Sequence, residues 1–153
     1  MRYLRSLSLP IWVKMNKVMG LDLGARTCGV ALSDIMGMIA SPLETIRFEE
    51  DDYETARDRI VDIIKANNVK KVVLGLPKHM NGDVGVRGEI SIQFKEMLLE
   101  KADVEVILWD ERLTTVSAQK SMIASNMNRK KRHQMVDTMA AVIILQSYLD
   151  SAY

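Results

Sequence analysis

The 153-residue chain predicts an α/β domain built on a mixed five-stranded sheet covered by helices. Three observations carry that expectation. Residues 18–23 and 28–33 are two short apolar runs split by Gly24-Ala25-Arg26-Thr27, which reads as a tight antiparallel hairpin. Residues 71–76 are apolar on both faces of a strand, the pattern of a central strand with parallel neighbours. From Tyr53 onward, strand-like runs alternate with segments at helical spacing, as in βαβ units. The predicted order is βββαβαβαα, with no internal repeat and no linker.

Residues 39–48, with Pro42 near the start, predict a third strand suited to a sheet edge, where a missing N–H does no harm. Glu49-Glu50-Asp51-Asp52 follows, and acids ahead of a helix favour its positive N-terminal end. Residues 53–66 place Ala56, Ile60, Ile63 and Ile64 on one helical face, and Asn67-Asn68 stops the helix. Residues 77–87 predict a loop holding Lys78, His79, Asn81, Asp83 and Arg87. A second helix is expected over 89–101 and a fifth strand over 104–109. Thr114 or Thr115 can cap a third helix running to about Ser125. Arg129-Lys130-Lys131-Arg132 then leads into a final helix whose apolar residues include Val136, Met139, Ala140, Ile143, Ile144 and Leu145.

Composition narrows the class. Hydrophobic residues make up 48% and charged residues 27%, near the averages of globular proteins, which argues against disorder. No apolar run approaches the ~20 residues that span a bilayer. A lone Cys28 in an apolar context forms no intrachain disulfide and reads as a small buried residue, which fits a reducing cytoplasm. The net charge of +1 hides an asymmetry: residues 1–18 hold Arg2, Arg5, Lys14 and Lys17 and no acid, so 17 of the 21 bases and all 20 acids lie in the remainder. Bulk charge therefore does not mark a nucleic-acid binder, and any such role must come from local patches. Residues 1–14 are weakly signal-like but lack a small-residue cleavage site. With Met15 opening the first strand, they read as a dispensable extension ahead of a single domain over 15–153.

Three acids lie inside apolar segments rather than on a solvated surface. Asp22 falls in the first strand, where an ionised carboxylate is costly without a positive partner, although a turn aspartate beside Gly24 is an equal alternative. Asp110-Glu111-Arg112 follows the fifth strand, and polar groups at the carboxyl ends of α/β strands tend to face ligands. A surface pairing of Glu111 with Arg112 is the plainer account. Asp137 is read one turn into the last helix, where favourable interaction with the helix dipole suffices to explain an acid. Taken together, the fold reading lets the three meet at one edge of the sheet. Clustered carboxylates repel unless a cation neutralises them, and hard oxygen ligands suit Mg²⁺ or Mn²⁺. A two-metal site of that kind can hydrolyse phosphodiesters.

Four motifs then carry a resemblance. Gly20-Leu21-Asp22-Leu23-Gly24-Ala25-Arg26-Thr27-Cys28-Gly29-Val30-Ala31-Leu32-Ser33-Asp34, Gly75-Leu76-Pro77, Asp110-Glu111-Arg112-Leu113-Thr114-Thr115 and Val136-Asp137-Thr138-Met139-Ala140-Ala141 resemble, in order, the YqgF/RuvX family. Those bacterial proteins have an RNase H-like fold and are described as Holliday-junction-resolvase-like or as pre-16S rRNA nucleases. The resemblance covers about residues 17–150 and implies Asp22, Glu111 and Asp137 as the catalytic, metal-holding acids, with Asp110 as a substitute for Glu111. It implies a divalent metal, Mg²⁺ or Mn²⁺, and a nucleic-acid substrate, either precursor rRNA, with ribosome association, or branched DNA. The family loop commonly reads Gly-Leu-Pro-x-Asn-x-Asp-Gly, whereas His79 and Asn81 stand at the two polar positions here. His79 is thereby a candidate proton donor or phosphate contact.

Lys78, Arg87, Arg112, Arg129, Lys130, Lys131 and Arg132 fit contacts to a phosphate backbone that leave bases unread. Only 5% of residues are aromatic, so stacking on single strands has little support. An ATP-binding protein of the actin/sugar-kinase type also opens with Asp-x-Gly between two strands, but needs two lobes and a second phosphate loop. A non-catalytic nucleic-acid-binding module would have no reason to keep buried carboxylates. The expected protein is a cytoplasmic nuclease, not membrane-bound, and a monomer or weak homodimer.

Overall fold

The computed structural model describes residues 16–114 and 129–151, the side chains of 129–137 apart. Strands β1 (Lys17–Leu23), β2 (Thr27–Ser33), β3 (Ala40–Arg47), β4 (Val69–Leu76) and β5 (Glu105–Asp110) form one sheet in the order β3-β2-β1-β4-β5. β1 pairs antiparallel with β2, and β2 with β3, while β1, β4 and β5 run parallel. Helices α1 (Tyr53–Ala66) and α2 (Val86–Lys101) make the two parallel crossovers, and α3 (Arg129–Ser151) follows a short 3₁₀ turn at Glu111–Leu113. The mixed α/β sheet is the expected one, with the strands at or within two residues of their expected bounds.

Local chemistry explains most element ends. The β1–β2 hairpin closes where the Gly24 N–H donates to the Thr27 carbonyl at 2.7 Å. Pro42 lies on the outer strand β3 where its pairing with β2 shifts register between Val30 and Ala31, a position that tolerates a residue without an N–H. The Asp52 carboxylate caps α1, accepting from the Thr55 hydroxyl at 2.7 Å and from the Thr55 backbone N–H at 3.4 Å. Asn67 ends that helix by donating its side-chain N–H to the Ile63 carbonyl, and Asn68 turns the chain at φ 53°, a conformation asparagine tolerates better than most.

Two helix starts differ from expectation. α2 begins at Val86, so Arg87 stands in its first turn rather than in the loop. α3 is already helical at Arg129, so Arg129, Lys130, Lys131 and Arg132 are helical residues rather than a loop before the helix. Thr114 closes the 3₁₀ turn, its N–H reaching the Glu111 carbonyl at 3.1 Å. The rest of the helix expected from there to about Ser125 lies outside the described residues, as does the 1–14 extension.

The sheet is buried on both faces. On one, Met19, Leu21, Val30, Val72 and Leu74 pack beneath α1 and α2 with Ile60, Ile64, Phe94 and Leu98, and Cys28 is buried there, its thiol donating to the Gly29 carbonyl at 3.8 Å. On the other, Ala31, Ala40 and Val73 pack against Ala140, Ala141, Ile144, Leu145 and Leu149 of α3. Small residues let α3 lie close: a Cβ on Gly20 would stand 2.6 Å from the Leu145 Cβ and 2.9 Å from the Ala141 carbonyl oxygen. Gly20→Ala is therefore expected to push the helix off the sheet and lower stability by about 1–3 kcal/mol, read as a lower urea midpoint. An unchanged midpoint would mean that the helix yields freely at this point of packing. No helix among the described residues is long and apolar enough to cross a membrane.

Candidate active site

The site is assembled at the carboxyl ends of β1, β4 and β5, on the α3 face. Side chains alternate along a strand, so Asp22 shares the face of Gly20, against which α3 packs. It is buried, at 7% exposure, and lies opposite Gly29 of β2. On the other side, Leu21 pairs with Leu74 of β4, so the next residues along, Asp22 and Gly75, are neighbours. Gly75 is also on the α3 face: a Cβ there would meet the Ile144 Cδ1 at 2.7 Å and the Glu111 Oε1 at 2.8 Å. The Glu111 carboxylate thus lies over the gap that Gly75 leaves, one strand away from Asp22. Glycines on both sides of a buried aspartate make room that larger residues would fill.

Asp137 arrives from α3. Thr138 bonds hydroxyl to hydroxyl with Thr45 of β3 at 2.7 Å, and Thr45 pairs with Gly29, which pairs with Asp22. Asp137 adjoins Thr138 and precedes by one helical turn Ala141, whose carbonyl lies over Gly20. The fold therefore carries the backbone of Asp137 to the level of the row containing Asp22. The helix extends eight residues N-terminal to it, so Asp137 stands more than two turns in, beyond the single turn over which the dipole acts.

Asp110 has a different occupation from Glu111. Its carboxylate accepts from the Arg112 backbone N–H at 2.9 Å, from Nε at 3.1 Å and from Nη2 at 2.7 Å, with Lys78 Nζ at 3.8 Å. The Arg112 side-chain hydrogen bonds, ahead of every other influence, hold its pKa down to about 2. Whatever this ionisation adds to stability is present above the ordinary value of 3.8 and is lost as pH falls towards 2. Arg112 therefore pairs with Asp110 and not, as the sequence suggested, with Glu111: the side chain of Asp110 turns to Arg112 and Lys78, and that of Glu111 lies over Gly75.

The remaining candidates lie around this end. Arg87 donates to the Leu23 carbonyl at 3.4 Å, at the end of β1, and to the Tyr53 hydroxyl at 3.4 Å. Lys78, His79 and Arg87 share the lining of a shallow cavity of about 380 Å³ between the 77–85 loop and the start of α2. The exposed His79 packs over Gly85, where an added Cβ would come 2.5 Å from its Nε2. Sequence reasoning did not single out Gly29 and Gly75 as space-makers, or Asp110 as the acid that gathers cations. A glycine inside an apolar strand, as in Val-Val-Leu-Gly75-Leu, was the signal that could have found one of them.

A mixed sheet in the order β3-β2-β1-β4-β5 with a helix across one face places the chain in the RNase H-like fold class. Solved structures bear out the fold. Thermus thermophilus RuvC bound to a Holliday junction substrate aligns over 90% of this chain and 95% of that one, with TM-score 0.58 and 13% identity. The fowlpox virus Holliday junction resolvase aligns over 90% and 99%, with TM-score 0.52 and 14% identity. The chain belongs to the RuvX family, described as Holliday junction resolvase, whose model matches residues 16–151, and it is accordingly a hydrolase of phosphodiester bonds. Proteins of Staphylococcus aureus strains RF122 and JH9, each named "Putative pre-16S rRNA nuclease", are 51% identical over 139 residues, covering 90% of this chain and 98% of theirs.

Proposed function

We propose that the protein is a metal-dependent endonuclease that trims the 5′ end of pre-16S rRNA in the cytoplasm, working on ribosomal precursors as a monomer or weak homodimer. The observation that carries this reading is Asp22 on β1 with the Glu111 carboxylate, from the turn after β5, reaching over Gly75 of the neighbouring strand β4 on the same face. The 51% identity to named pre-16S rRNA nucleases supports the choice of substrate.

Among the described residues no three of His, Cys, Asp and Glu are gathered as a metal cluster; the third acid of the proposed set, Asp137, belongs to the residues whose side chains are not described. The donor set nevertheless suits a hard cation: carboxylate oxygens, one from β1 and one from the turn after β5, brought to one face of the sheet. Asp22, Glu111 and Asp137 would hold Mg²⁺ or Mn²⁺, which would supply an activated water and a counter-charge for the phosphate in the transition state. Asp22 contributes a rigid ligand because a strand in the centre of the sheet fixes its backbone. Glu111, on a half-buried turn, contributes a longer one. Lys78, Arg87 and Arg112, with the Arg129, Lys130, Lys131 and Arg132 turns of α3, would position the backbone phosphates.

Purified protein with Mn²⁺ should cut a precursor rRNA 5′ end. Cleavage of a four-way DNA junction in its place, the activity in the family's description, would move the reading to branched DNA. Cleavage of neither would overturn it. Replacing Arg129, Lys130, Lys131 and Arg132 with Ala should weaken RNA binding and flatten its salt dependence by about 0.7–0.9 for each phosphate no longer neutralised. An unchanged slope would leave the run as a solvated helical face.

A further inference from the structure

Asp110 joins two parts of the site that lie far apart along the chain, the turn that carries Glu111 and the loop after β4. It is the last residue of β5 and directly precedes Glu111. Its bonds to the Arg112 backbone and guanidinium close the turn on which Glu111 stands. Its approach to Lys78 Nζ, at 3.8 Å, ties in the loop after β4. Arg112 makes the same link from its other side: at Gly82, whose φ of 94° suits glycine, a Cβ would lie 3.3 Å from Arg112 Nη1. One carboxylate therefore anchors the Glu111 turn and the 77–85 loop together, and it partly neutralises Lys78 and Arg112, two of the cations at this end.

We propose that Asp110 is a positioning residue that trades affinity for turnover: it fixes the Glu111 turn while withholding Lys78 and Arg112 from full engagement with substrate phosphates. This rests on the nuclease reading of the same site. The consequence is a pair of effects with opposite signs. Without the Asp110 charge, both cations are released towards the phosphate backbone, so binding tightens and its salt dependence steepens by about 0.7–0.9 for each phosphate newly neutralised. The turn meanwhile loses its tie, and loss of such a supporting partner typically lowers activity about 10–100-fold. A purely structural aspartate would, when replaced, weaken both properties or neither.

The test uses the full chain, an RNA hairpin bound in EDTA over a range of salt, and cleavage in Mn²⁺. Asp110→Asn, which preserves shape and removes charge, should bind the hairpin several-fold more tightly with a steeper slope, and turn over about 10–100-fold more slowly. Asp110→Glu should return the slope to the parental value. Unchanged or weaker binding by a folded Asp110→Asn would overturn the proposal. If that variant does not fold, Arg112→Lys carries the test: it keeps the charge and loses the fork, so turnover should fall with the salt slope unchanged. Parental turnover in Arg112→Lys would then overturn it. The binding arm needs neither metal nor cleavage. A parent that binds but never cleaves sinks the nuclease reading and with it the turnover half of the proposal, leaving the salt slopes to decide the binding half; a parent that cleaves beside an Asp110→Asn of unaltered slope sinks Asp110 alone.

Discussion

Asp22→Asn is expected to abolish cleavage and leave the fold as stable as before, or more so. The residue is 7% exposed in the central strand of the sheet, and the Glu111 carboxylate lies one strand away over Gly75. Carboxylates gathered on one face repel in the absence of a cation, so removing one charge is expected to relieve the metal-free protein. Asparagine keeps the shape and one oxygen, and no cavity opens. The catalytic cost is of another order. A neutral amide is a poor ligand for a hard divalent ion, and losing several kcal/mol of transition-state stabilisation lowers the rate by about a thousandfold or more. Calorimetry with Mn²⁺ should show binding in the parent and little in the variant, while the melting temperature holds or rises. Equal Mn²⁺ binding and equal cleavage by the two proteins would remove Asp22 from the site.

The strands were legible because their signals are short-range. Residues 71–76 are apolar on both faces, and that run can only be a central strand; Pro42 marked β3 as an edge before any sheet order was known. A hairpin followed by right-handed parallel crossovers leaves few arrangements of five strands, and β3-β2-β1-β4-β5 is among them. Helix starts were harder. α2 begins after Gly85 without a side-chain cap, so nothing in 77–87 announces it. α3 takes in four consecutive cations, which have no apolar periodicity to read, and the helix was expected only beyond them. Within the site, Asp22 and Glu111 stood out because charge is rare in apolar runs. The division of labour between Asp110 and Glu111 could not be read, because it depends on which way a three-residue turn directs consecutive side chains. The role of Gly75 was hidden for a related reason: the space that a missing Cβ leaves acquires meaning only once another residue is known to fill it.

Asp137→Asn gives the sharpest separation between a structural acid and a working one. An acid in the first turn of a helix stabilises it by up to ~1 kcal/mol through the dipole, and its replacement would cost that much and spare activity. The helix, however, is already formed at Arg129, eight residues earlier, which puts Asp137 beyond the reach of that effect. What fixes this stretch of α3 is the hydrogen bond beside it, Thr138 with Thr45 at 2.7 Å, together with the close approach of Ala141 to Gly20. The amide variant should therefore melt at or above the parental temperature. As a third ligand in the row of Asp22, Asp137 should matter to chemistry alone, and cleavage should fall by about a thousandfold. Thr138→Val supplies the control, since losing a hydroxyl bond costs about 0.5–1.5 kcal/mol and disturbs the helix without removing a carboxylate. Stability should drop in Thr138→Val with activity largely kept, and activity should drop in Asp137→Asn with stability kept. If Asp137→Asn instead melts early and cuts at the parental rate, the acid serves the helix, and the three-carboxylate site loses the member that α3 was to deliver.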